Sequence, residues 1–234
     1  MRILAMLPTY NEAENIGPLM DQILALGPEY EALVIDDDSP DGTWKIVQEL
    51  SQKDARVHLL HRTTERGRGT AGLAGFRWAR DRGCDAVVEM DADFSHAPRF
   101  IPSLIEPLRN GNADLVIGSR LIKGGGETGR HPIRRCITLA ANTYIRLLLG
   151  IGIRDCTSGF RTFNQRALLA IPWERMQARG PEIVQEVLLE ARNAGLKMSE
   201  RPILFEERRA GQSTFNVGIM LRSFVFVLKA RLLR

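Results

Sequence analysis

The chain has 234 residues, which is enough for one large domain or two small ones with a substantial core. A hydrophobic content of 44% and a charged content of 26% are ordinary for a globular protein and argue against disorder. The net charge of +4 is mildly basic, and three cysteines without CxxC spacing argue against a disulfide framework or a zinc site.

Apolar runs and helical spacing alternate along the first half of the chain. Strands are predicted, in order, at "RILAMLP", "ALVIDD", "RVHLLHR", "CDAVVEM" and "ADLVIGS". Helices are predicted between them, near residues 16–24, 43–53, 72–82 and 98–111. The strands are continuous apolar runs, which is typical of strands buried on both faces of a parallel sheet. The pattern therefore predicts an α/β fold, a Rossmann-like and mostly parallel central sheet flanked by helices.

The pattern changes after residue 120. A glycine-rich stretch, "LIKGGGETGRHP", precedes a predicted apolar helix over residues 133–150. A loop and short strand follow at "DCTSGFRTF", and an amphipathic helix is predicted over residues 181–194. We expect one domain over residues 1–214 and a C-terminal amphipathic, interfacial helix over residues 215–234.

Polar residues follow the predicted strands, at the edge where open parallel sheets bind ligands. The strand ends are "LPTYNE", "DDDSPDGT", "MDADFSH" and "GSR". Helix capping accounts for "DDDSPDGT" alone as well as a functional role does. For Asp91 and Asp93, capping explains at most one carboxylate. A Mg²⁺ or Mn²⁺ ion that is shared with a substrate diphosphate explains both.

The stretch "GRGTAG" (67–72) matches the dinucleotide fingerprint G-x-G-x-x-G. The fingerprint should directly follow the first strand, whereas this copy follows the third. We therefore interpret it as a glycine-rich helix start near the ligand and not as a dinucleotide site.

The motifs "PTYNE", "DDDSPDGT", "MDADFSH", "GSR" and "DCTSGFR", in this order, resemble those of the inverting family 2 glycosyltransferases of the GT-A fold. More narrowly, they resemble the polyprenol (dolichol) phosphate mannose synthases. The resemblance extends from residue 3 to about residue 216, and its specificity lies in the ordered set, because "DAD" alone is a weak signal. It implies a GT-A fold and transfer of mannose from GDP-mannose to a polyprenyl (dolichyl) monophosphate with Mg²⁺ or Mn²⁺.

The resemblance also implies residue roles. The implied donor-binding residues are Pro8, Tyr10, Glu12, Ile35, Asp37, Asp91, Ala92, Asp93, Arg120 and Arg208. The implied metal ligands are Asp91, Asp93 and Ser95. The implied catalytic residues are Asp93, Arg120 near the sugar diphosphate, and Arg135 near the lipid phosphate. Arg208 belongs to a family pattern R-x-x-G-x-S-K that here reads "RRAGQST", so Thr214 replaces the expected lysine and Arg209 is a candidate to supply that charge.

The chemistry of the acceptor decides which groups the site needs. A hydroxyl acceptor needs a general base, whereas a lipid monophosphate already carries a nucleophilic oxyanion and needs positive charge. The segment from Lys123 to Arg135 carries four Lys or Arg residues and one His, although a solvated basic loop would look the same. Asp155, Ser158 and Arg161 are candidates to shape the acceptor side, with Asp155 a base only for a hydroxyl acceptor. His96 is expected to be structural, and orienting the loop and binding the ion are equally open roles for it.

Two alternatives remain open. Strand-end motifs do not fix the base or the sugar, so glucose or another hexose from a UDP-sugar is the alternative donor. A nucleotidyltransferase is more remote, because "LPTYNEAEN" lacks the glycine- and lysine-rich signature expected after the first strand.

The predicted partners are GDP-mannose, polyprenyl or dolichyl phosphate, and a membrane surface or a membrane-spanning partner, with no nucleic acid. No run in the tail approaches the ~20 apolar residues that span a bilayer, so a peripheral location at the cytoplasmic face of a membrane is expected. The helix around Ile137–Leu149 and the tail from Val217 are candidates for the contact. The alternative is that the first packs in the core and the tail packs on the sheet edge.

Overall fold

A large mixed sheet organises the chain, and the computed structural model describes residues 1–129, 132–206 and 224–228. The strands in these ranges are β1 (Ile3–Thr9), β2 (Tyr30–Asp36), β3 (Val57–His61), β4 (Ala86–Glu89), β5 (Leu115–Ser119), β6 (Gly126–Glu127), β7 (Arg161–Asn164), β8 (Met198–Pro202) and β9 (Leu204–Phe205). The helices are α1 (Ala13–Leu24), α2 (Thr43–Lys53), α3 (Arg68–Asp81), α4 (Ile101–Arg109), α5 (Pro132–Leu149), α6 (Gln165–Ala170) and α7 (Ile183–Asn193). A short 3₁₀ turn, Pro98–Phe100, precedes α4.

Seven strands form the main sheet in the order β3-β2-β1-β4-β7-β5-β8, and β6 pairs with β9 in a separate ribbon. The pairs β1–β2, β1–β4, β2–β3 and β5–β8 are parallel. Only β7 runs antiparallel within this sheet, and it lies between β4 and β5. The predicted α/β architecture with a mostly parallel sheet is confirmed.

Both faces of the sheet are buried, which is why its strands are continuous apolar runs. Along β1, Leu4 and Met6 belong to one core cluster, whereas Ile3, Ala5 and Leu7 belong to the other. Helices α3, α5, α6 and α7 contribute side chains to the first cluster, and α1, α2 and α4 to the second. The sheet is therefore the middle layer of three, and its loops at the carboxyl ends of the strands are left to form a site.

Helix α3 begins at Arg68, four residues before the predicted start, and the glycines of "GRGTAG" explain the difference. A Cβ added at Gly69 would lie 2.6 Å from the backbone oxygen of Ala178. A Cβ at Gly75, further along the helix, would collide with the side chain of Met6 in β1. These glycines let the helix approach its neighbours closely, so the glycine-rich motif serves packing and the rejection of a dinucleotide fingerprint agrees with the fold.

The C-terminal segment that the structure describes, residues 224–228, is helical and lies against α5. The Tyr144 hydroxyl donates a hydrogen bond of 3.3 Å to the backbone oxygen of Phe224, and the two rings are 4.5 Å apart. Val227 is buried in the core cluster of α5 and α7. Most of the predicted interfacial helix over 215–234 lies outside the described residues. Within the described ranges, no helix combines the length and the apolar character needed to cross a membrane.

Candidate active site

The carboxyl ends of β1, β2 and β4 meet at one edge of the sheet. Parallel pairing sets Pro8 opposite Ile35, and the amide of Met90 donates to the backbone oxygen of Met6. Just beyond these three ends, Asn11, Asp38 and Phe94 have positive φ angles of 61°, 58° and 64°. Such backbone is strained for a bulky residue such as Phe94, and strain of this kind concentrates at functional sites. The fold thus brings together three of the strand ends singled out in the sequence.

Asp91 lies just past β4 and is held by two neighbours. Arg68, the first residue of α3, donates a hydrogen bond of 2.6 Å from Nη2 to Asp91 Oδ1. The backbone amide of Asp91 donates to Nδ1 of His96 at 2.9 Å. The Asp91 side chain keeps 30% of its surface exposed, so it remains reachable from the open edge of the sheet.

His96 orients this loop. Its ring is buried and stacks on Phe160, with Phe205 edge-on. Burial lowers the pKa of His96, although the carboxylates of Asp91 and Asp93 oppose the shift. A neutral imidazole that accepts a hydrogen bond from the Asp91 amide is placed to orient this loop, which is one of the two roles that the sequence left open.

Asp93 is more deeply buried than Asp91, with 3% of its surface exposed. Its Oδ1 accepts hydrogen bonds from the backbone amide of Ser95 at 3.0 Å and from the Ser95 hydroxyl at 2.5 Å. Ser95 therefore braces Asp93 in this conformation, and its predicted role as a direct metal ligand stays a prediction. The strained backbone of Phe94 turns the chain between these two residues.

The residues present suit a divalent cation that brings its own further ligands. Two carboxylates and a hydroxyl within five residues are hard oxygen donors, which Mg²⁺ and Mn²⁺ prefer. Within the described ranges, no three His, Cys, Asp or Glu side chains are placed to hold an ion by themselves. A Mg²⁺-type ion commonly binds through one or two carboxylates plus substrate phosphates, so Asp91 and Asp93 fit an ion of that kind.

The end of β2 carries three successive aspartates with different partners. Asp36 is buried and accepts from Thr9 and Ser39. Asp37 is also buried, and its Oδ2 accepts from the backbone amide of Gly67 at 2.7 Å. Burial raises the pKa of Asp37, and its Oδ1 accepts no hydrogen bond among the described residues but lies 3.4 Å from Nε of Arg62, with which it forms an ion pair. A buried carboxylate oxygen that still lacks a hydrogen bond suits a ligand that donates an N–H or O–H group.

A pocket of about 300 Å³ opens beside these strand ends. Its lining residues are Tyr10, Asp38, Ser39, Pro40, Gly42, Trp44, Lys45 and Arg66. Tyr10 is half exposed, and Trp44 stacks on His61 with ring centroids 4.4 Å apart. The two rings suit a planar ligand such as a nucleobase, and Lys45 and Arg66 add positive charge that Asp38 partly offsets through its ion pair with Arg66.

The other residues implied to bind the donor are less accessible to a ligand. Pro8 is the penultimate residue of β1, and Glu12 accepts a hydrogen bond from the side chain of Asn15. The side chain of Ile35 is fully buried in the core. Any contact of Ile35 with a ligand would therefore come from its main chain. Ala92 lies between the two carboxylates and is almost completely buried.

Arg120 follows β5 and is fixed by a buried ion pair. Its Nε and Nη2 each donate to a carboxylate oxygen of Asp155 at 2.7 Å, and Nη2 also donates to Thr157. The side chain of Glu127 lies 3.3 Å away, and the Arg120 side chain is 7% exposed. Burial opposes the charge, but the Asp155 carboxylate raises the pKa of Arg120 above its ordinary value. The guanidinium is thus permanently charged and held in one orientation.

Asp155 is unsuitable as a general base. Burial opposes its charge, but Arg120 holds the pKa of Asp155 below its usual range. Its side chain has no exposed surface, and both of its oxygens bind Arg120. The alternative that Asp155 deprotonates a hydroxyl acceptor therefore finds no support in its geometry.

Arg161 does not face the acceptor side, contrary to the expectation from "DCTSGFR". It is fully buried on β7 and pairs with Glu89 on β4, through Nε at 3.0 Å and through Nη2. Glu89 and Arg161 are directly opposite in the antiparallel register. Sequence patterns gave no sign of this pair, because the antiparallel placement of β7 beside β4 is a long-range feature.

Several predicted residues fall in or near segments that are not described. Arg135 belongs to α5 and is exposed. Arg208, Arg209 and Thr214 lie outside the described residues. Their predicted contacts with donor phosphates stay predictions.

The chain is similar to a known family and to named relatives. Residues 5–171 match the model of the family described as Glycosyl transferase family 2. An undecaprenyl-phosphate mannosyltransferase of Micrococcus luteus is 39% identical, with 98% of this chain and 93% of the relative covered. A polyprenol monophosphomannose synthase of Mycolicibacterium smegmatis is 42% identical over 96% of this chain and 84% of the relative.

Solved structures share the fold at low sequence identity. Mannosyl-3-phosphoglycerate synthase from Rubrobacter xylanophilus has a TM-score of 0.72 at 20% identity, with 99% of this chain and 74% of that chain covered. Glucosyl-3-phosphoglycerate synthase from Mycobacterium tuberculosis, in complex with Mn²⁺, UDP and glucosyl-3-phosphoglycerate, has a TM-score of 0.70 at 22% identity, with 98% and 79% covered. The predicted GT-A fold is confirmed by these neighbours. Because the family match spans most of the chain and close relatives cover nearly all of it, the chain belongs to glycosyl transferase family 2 and is a glycosyltransferase.

Proposed function

We propose that this glycosyltransferase transfers mannose from GDP-mannose to a polyprenyl monophosphate, with Mg²⁺ or Mn²⁺, at the cytoplasmic face of a membrane. The observation that carries the proposal is the similarity of 39% and 42% over nearly the whole chain to relatives named for mannosyl transfer to such lipids. The strand-end site supplies the groups that this reaction needs.

The donor side of the site combines carboxylates, aromatic rings and basic side chains. Oδ1 of Asp37, which is ion-paired with Arg62 but accepts no hydrogen bond among the described residues, suits an N–H group of the nucleobase, and Tyr10 lines the adjoining pocket. Asp91 and Asp93 would hold a divalent cation, which when bound neutralises charge on the departing diphosphate. A glycosyltransferase solved with Mn²⁺ shares this fold, which supports the same metal class here.

Arg120 supplies fixed positive charge where the reaction moves negative charge. An acceptor phosphate oxygen forms a bond to the anomeric carbon while the bond from that carbon to the diphosphate breaks, and GDP leaves with the electron pair. A guanidinium already oriented by Asp155 costs little reorganisation when it meets this charge. We assign Arg120 to stabilising the diphosphate or the acceptor phosphate during this step.

The acceptor side suits a phosphate nucleophile better than a hydroxyl. A hydroxyl would need a general base, and two candidate bases of the site are both engaged: Asp155 by Arg120, and His96 by the Asp91 amide. A cavity of about 220 Å³ lies between the loop after β5 and α5. It is lined by Leu121, Leu139, Asn142, Thr143, Arg146 and Arg154. Asn142 and Arg120 both contact Thr157, so this mixed apolar and basic cavity adjoins Arg120.

A transfer assay tests the proposal. We expect the full chain with Mn²⁺ and a short polyprenyl phosphate to form a hexosyl polyprenyl phosphate from GDP-mannose, with one GDP released per product detected by mass spectrometry.

In the same assay, Arg135→Ala should raise the acceptor concentration needed by roughly tenfold and leave the GDP-mannose requirement unchanged, because one phosphate contact is lost. Arg99→Ala, which removes an exposed arginine on another element, is the matched control.

Two results would count against the proposal. Product from UDP-glucose but not from GDP-mannose would replace the proposed donor with the alternative one. If Arg135→Ala weakened the use of GDP-mannose and of the polyprenyl phosphate equally, Arg135 would not belong to the acceptor side of the site.

The membrane contact is proposed to involve α5. Leu139 and Leu147 on this helix are 58% and 70% exposed, and Val225 and Leu228 on the adjacent segment are also exposed. Basic residues of α5, among them the exposed Arg135, accompany these apolar side chains. Exposed apolar residues together with arginines are typical of helices that lie in a membrane interface.

Replacing both Leu139 and Leu147 by Glu should therefore weaken sedimentation with vesicles that contain phosphatidylglycerol. We expect the partition coefficient to fall by roughly tenfold or more, because two apolar contacts are lost and two negative charges are added. Leu169→Glu on α6 is the matched control, since Leu169 is 67% exposed. Equal sedimentation of the double variant and the control, with unchanged circular dichroism, would contradict a role for α5.

A further inference from the structure

Arg68 lies within "GRGTAG" at the edge of the site, and no sequence motif assigned it a role. It is the first residue of α3 and donates a hydrogen bond of 2.6 Å to Asp91, one of the two carboxylates proposed to hold the metal. Its side chain is 26% exposed. A cation thus already occupies an oxygen that a divalent ion would need.

The surrounding backbone is shaped to place this guanidinium. The amide of Gly67 donates to Asp37 at 2.7 Å, and the amide of Gly69 donates to the backbone oxygen of Arg179 at 3.0 Å. These two contacts fix the start of α3. On the opposite side, a Cβ added at Gly159 would lie 2.6 Å from Nη2 of Arg68. The glycine of "DCTSGFR" therefore leaves room for the guanidinium.

The positive charge of Arg68 is energetically costly unless neighbouring negative charges compensate it. Arg68 stands at a helix N-terminus, where the helix dipole disfavours a cation. Burial also opposes its charge, but the carboxylates of Asp91, Glu89 and Asp93 raise the pKa of Arg68 above its ordinary value. Arg161 is already paired with Glu89. The balance of charge at this edge of the sheet thus depends on Arg68 facing Asp91 and Asp93.

A divalent cation and Arg68 compete for the same carboxylate. An ion at Asp91 would either displace the guanidinium or bind beside it against like-charge repulsion, and both effects weaken binding of the ion alone. A nucleoside diphosphate brings several negative charges, which compensate the ion and the guanidinium together.

We propose that Arg68 is a positioning residue that makes metal binding depend on the donor. In the free enzyme Arg68 holds Asp91, and the affinity of the site for a divalent cation is low. The negative charge of the donor diphosphate compensates both cations and raises that affinity. This inference rests on the metal and the GDP-sugar of the proposed function. It predicts that metal and nucleotide bind with strong positive coupling.

Mn²⁺ binding to the full chain, measured by the electron paramagnetic resonance signal of free Mn²⁺ with and without GDP, tests this inference. We expect GDP to tighten Mn²⁺ binding to the wild type at least about tenfold. Arg68→Gln should bind Mn²⁺ alone about tenfold more tightly than the wild type, with a correspondingly smaller effect of GDP. Arg68→Lys keeps the charge and should stay close to the wild type. Arg82→Gln, at the far end of α3, makes the same change in net charge and should also match the wild type.

A second variant keeps the inference testable if Arg68→Gln does not fold. Gly159→Ala should push the guanidinium away from Asp91 and so also tighten the binding of Mn²⁺ alone. Mn²⁺ affinities and GDP coupling equal to the wild type in folded Arg68→Gln or Gly159→Ala would overturn the inference and leave the metal site standing. No Mn²⁺ binding by the wild type even with GDP would overturn the proposed metal site, and the inference with it.

Discussion

Replacing Asp93 by Asn should lower mannosyl transfer by roughly 1,000-fold or more while leaving the fold intact. The amide is close in shape to the carboxylate, and its oxygen can still accept the hydrogen bonds that Ser95 donates to Oδ1. What is lost is the negative charge, and with it most of the affinity for a divalent ion. Removing the Asp93 charge relieves its repulsion with Asp91 but also removes part of the compensation of Arg68, so the melting temperature should stay close to that of the wild type.

Initial rates over a range of Mn²⁺ concentrations, together with thermal melting, check this expectation. Asp81→Asn is the matched control, because Asp81 is an exposed carboxylate at the far end of α3. The control should keep the rate of the wild type. Transfer by Asp93→Asn near the wild-type rate at every Mn²⁺ concentration would remove Asp93 from the metal site.

The fold could be predicted where local patterns decide it. Helix α2 has the bounds that its spacing predicts, and β1, β2 and β4 coincide with apolar runs. The separate ribbon of β6 and β9 and the edge strand β8 were not predicted. Strand β8, "MSERP", is polar and only half buried, so it lacks the apolar run that marked the central strands. Its strand conformation depends on pairing with β5, which lies some 80 residues earlier.

In the candidate site, too, local sequence patterns place some residues and long-range contacts place others. Asp91, Asp93 and Asp37 follow strands directly, so the general rule for parallel sheets was enough to place them at one edge. Arg68 could not be placed there from spacing, because its position depends on the contact of α3 with Asp37 and with residues 178–179. The partner of Arg120 is a similar case. Asp155 stands 35 residues further along the chain, and only the folded loop brings the two together.

The ion pair of Arg120 and Asp155 should contribute strongly to the free energy of unfolding. Both side chains are almost fully buried, with 7% and 0% of their surface exposed. Removing one partner of a buried pair leaves the other charge uncompensated, which commonly costs about 3–5 kcal/mol. Glu127, at 3.3 Å from Arg120, still offers partial compensation, so the lower end of that range is expected.

Asp155→Asn should therefore lower the free energy of unfolding by about 3 kcal/mol at pH 7, measured by urea denaturation. Transfer should fall as well, because Arg120 loses the contacts that orient it. Glu174→Gln breaks the exposed pair with Arg80 and is the matched control, with little effect expected on either measurement.

The pH dependence separates the ion pair from a simple packing defect. The pKa of Asp155 is lowered in the folded protein, so its stabilising contribution is present in full above its unfolded value of about 4. That contribution is lost as the pH falls below this value and through the lowered folded pKa. The difference between the wild type and Asp155→Asn should thus shrink as the pH is lowered from 7 towards 3. A difference that stays constant over this range would mean that the variant loses packing or hydrogen bonds and that the charge of Asp155 contributes nothing to stability.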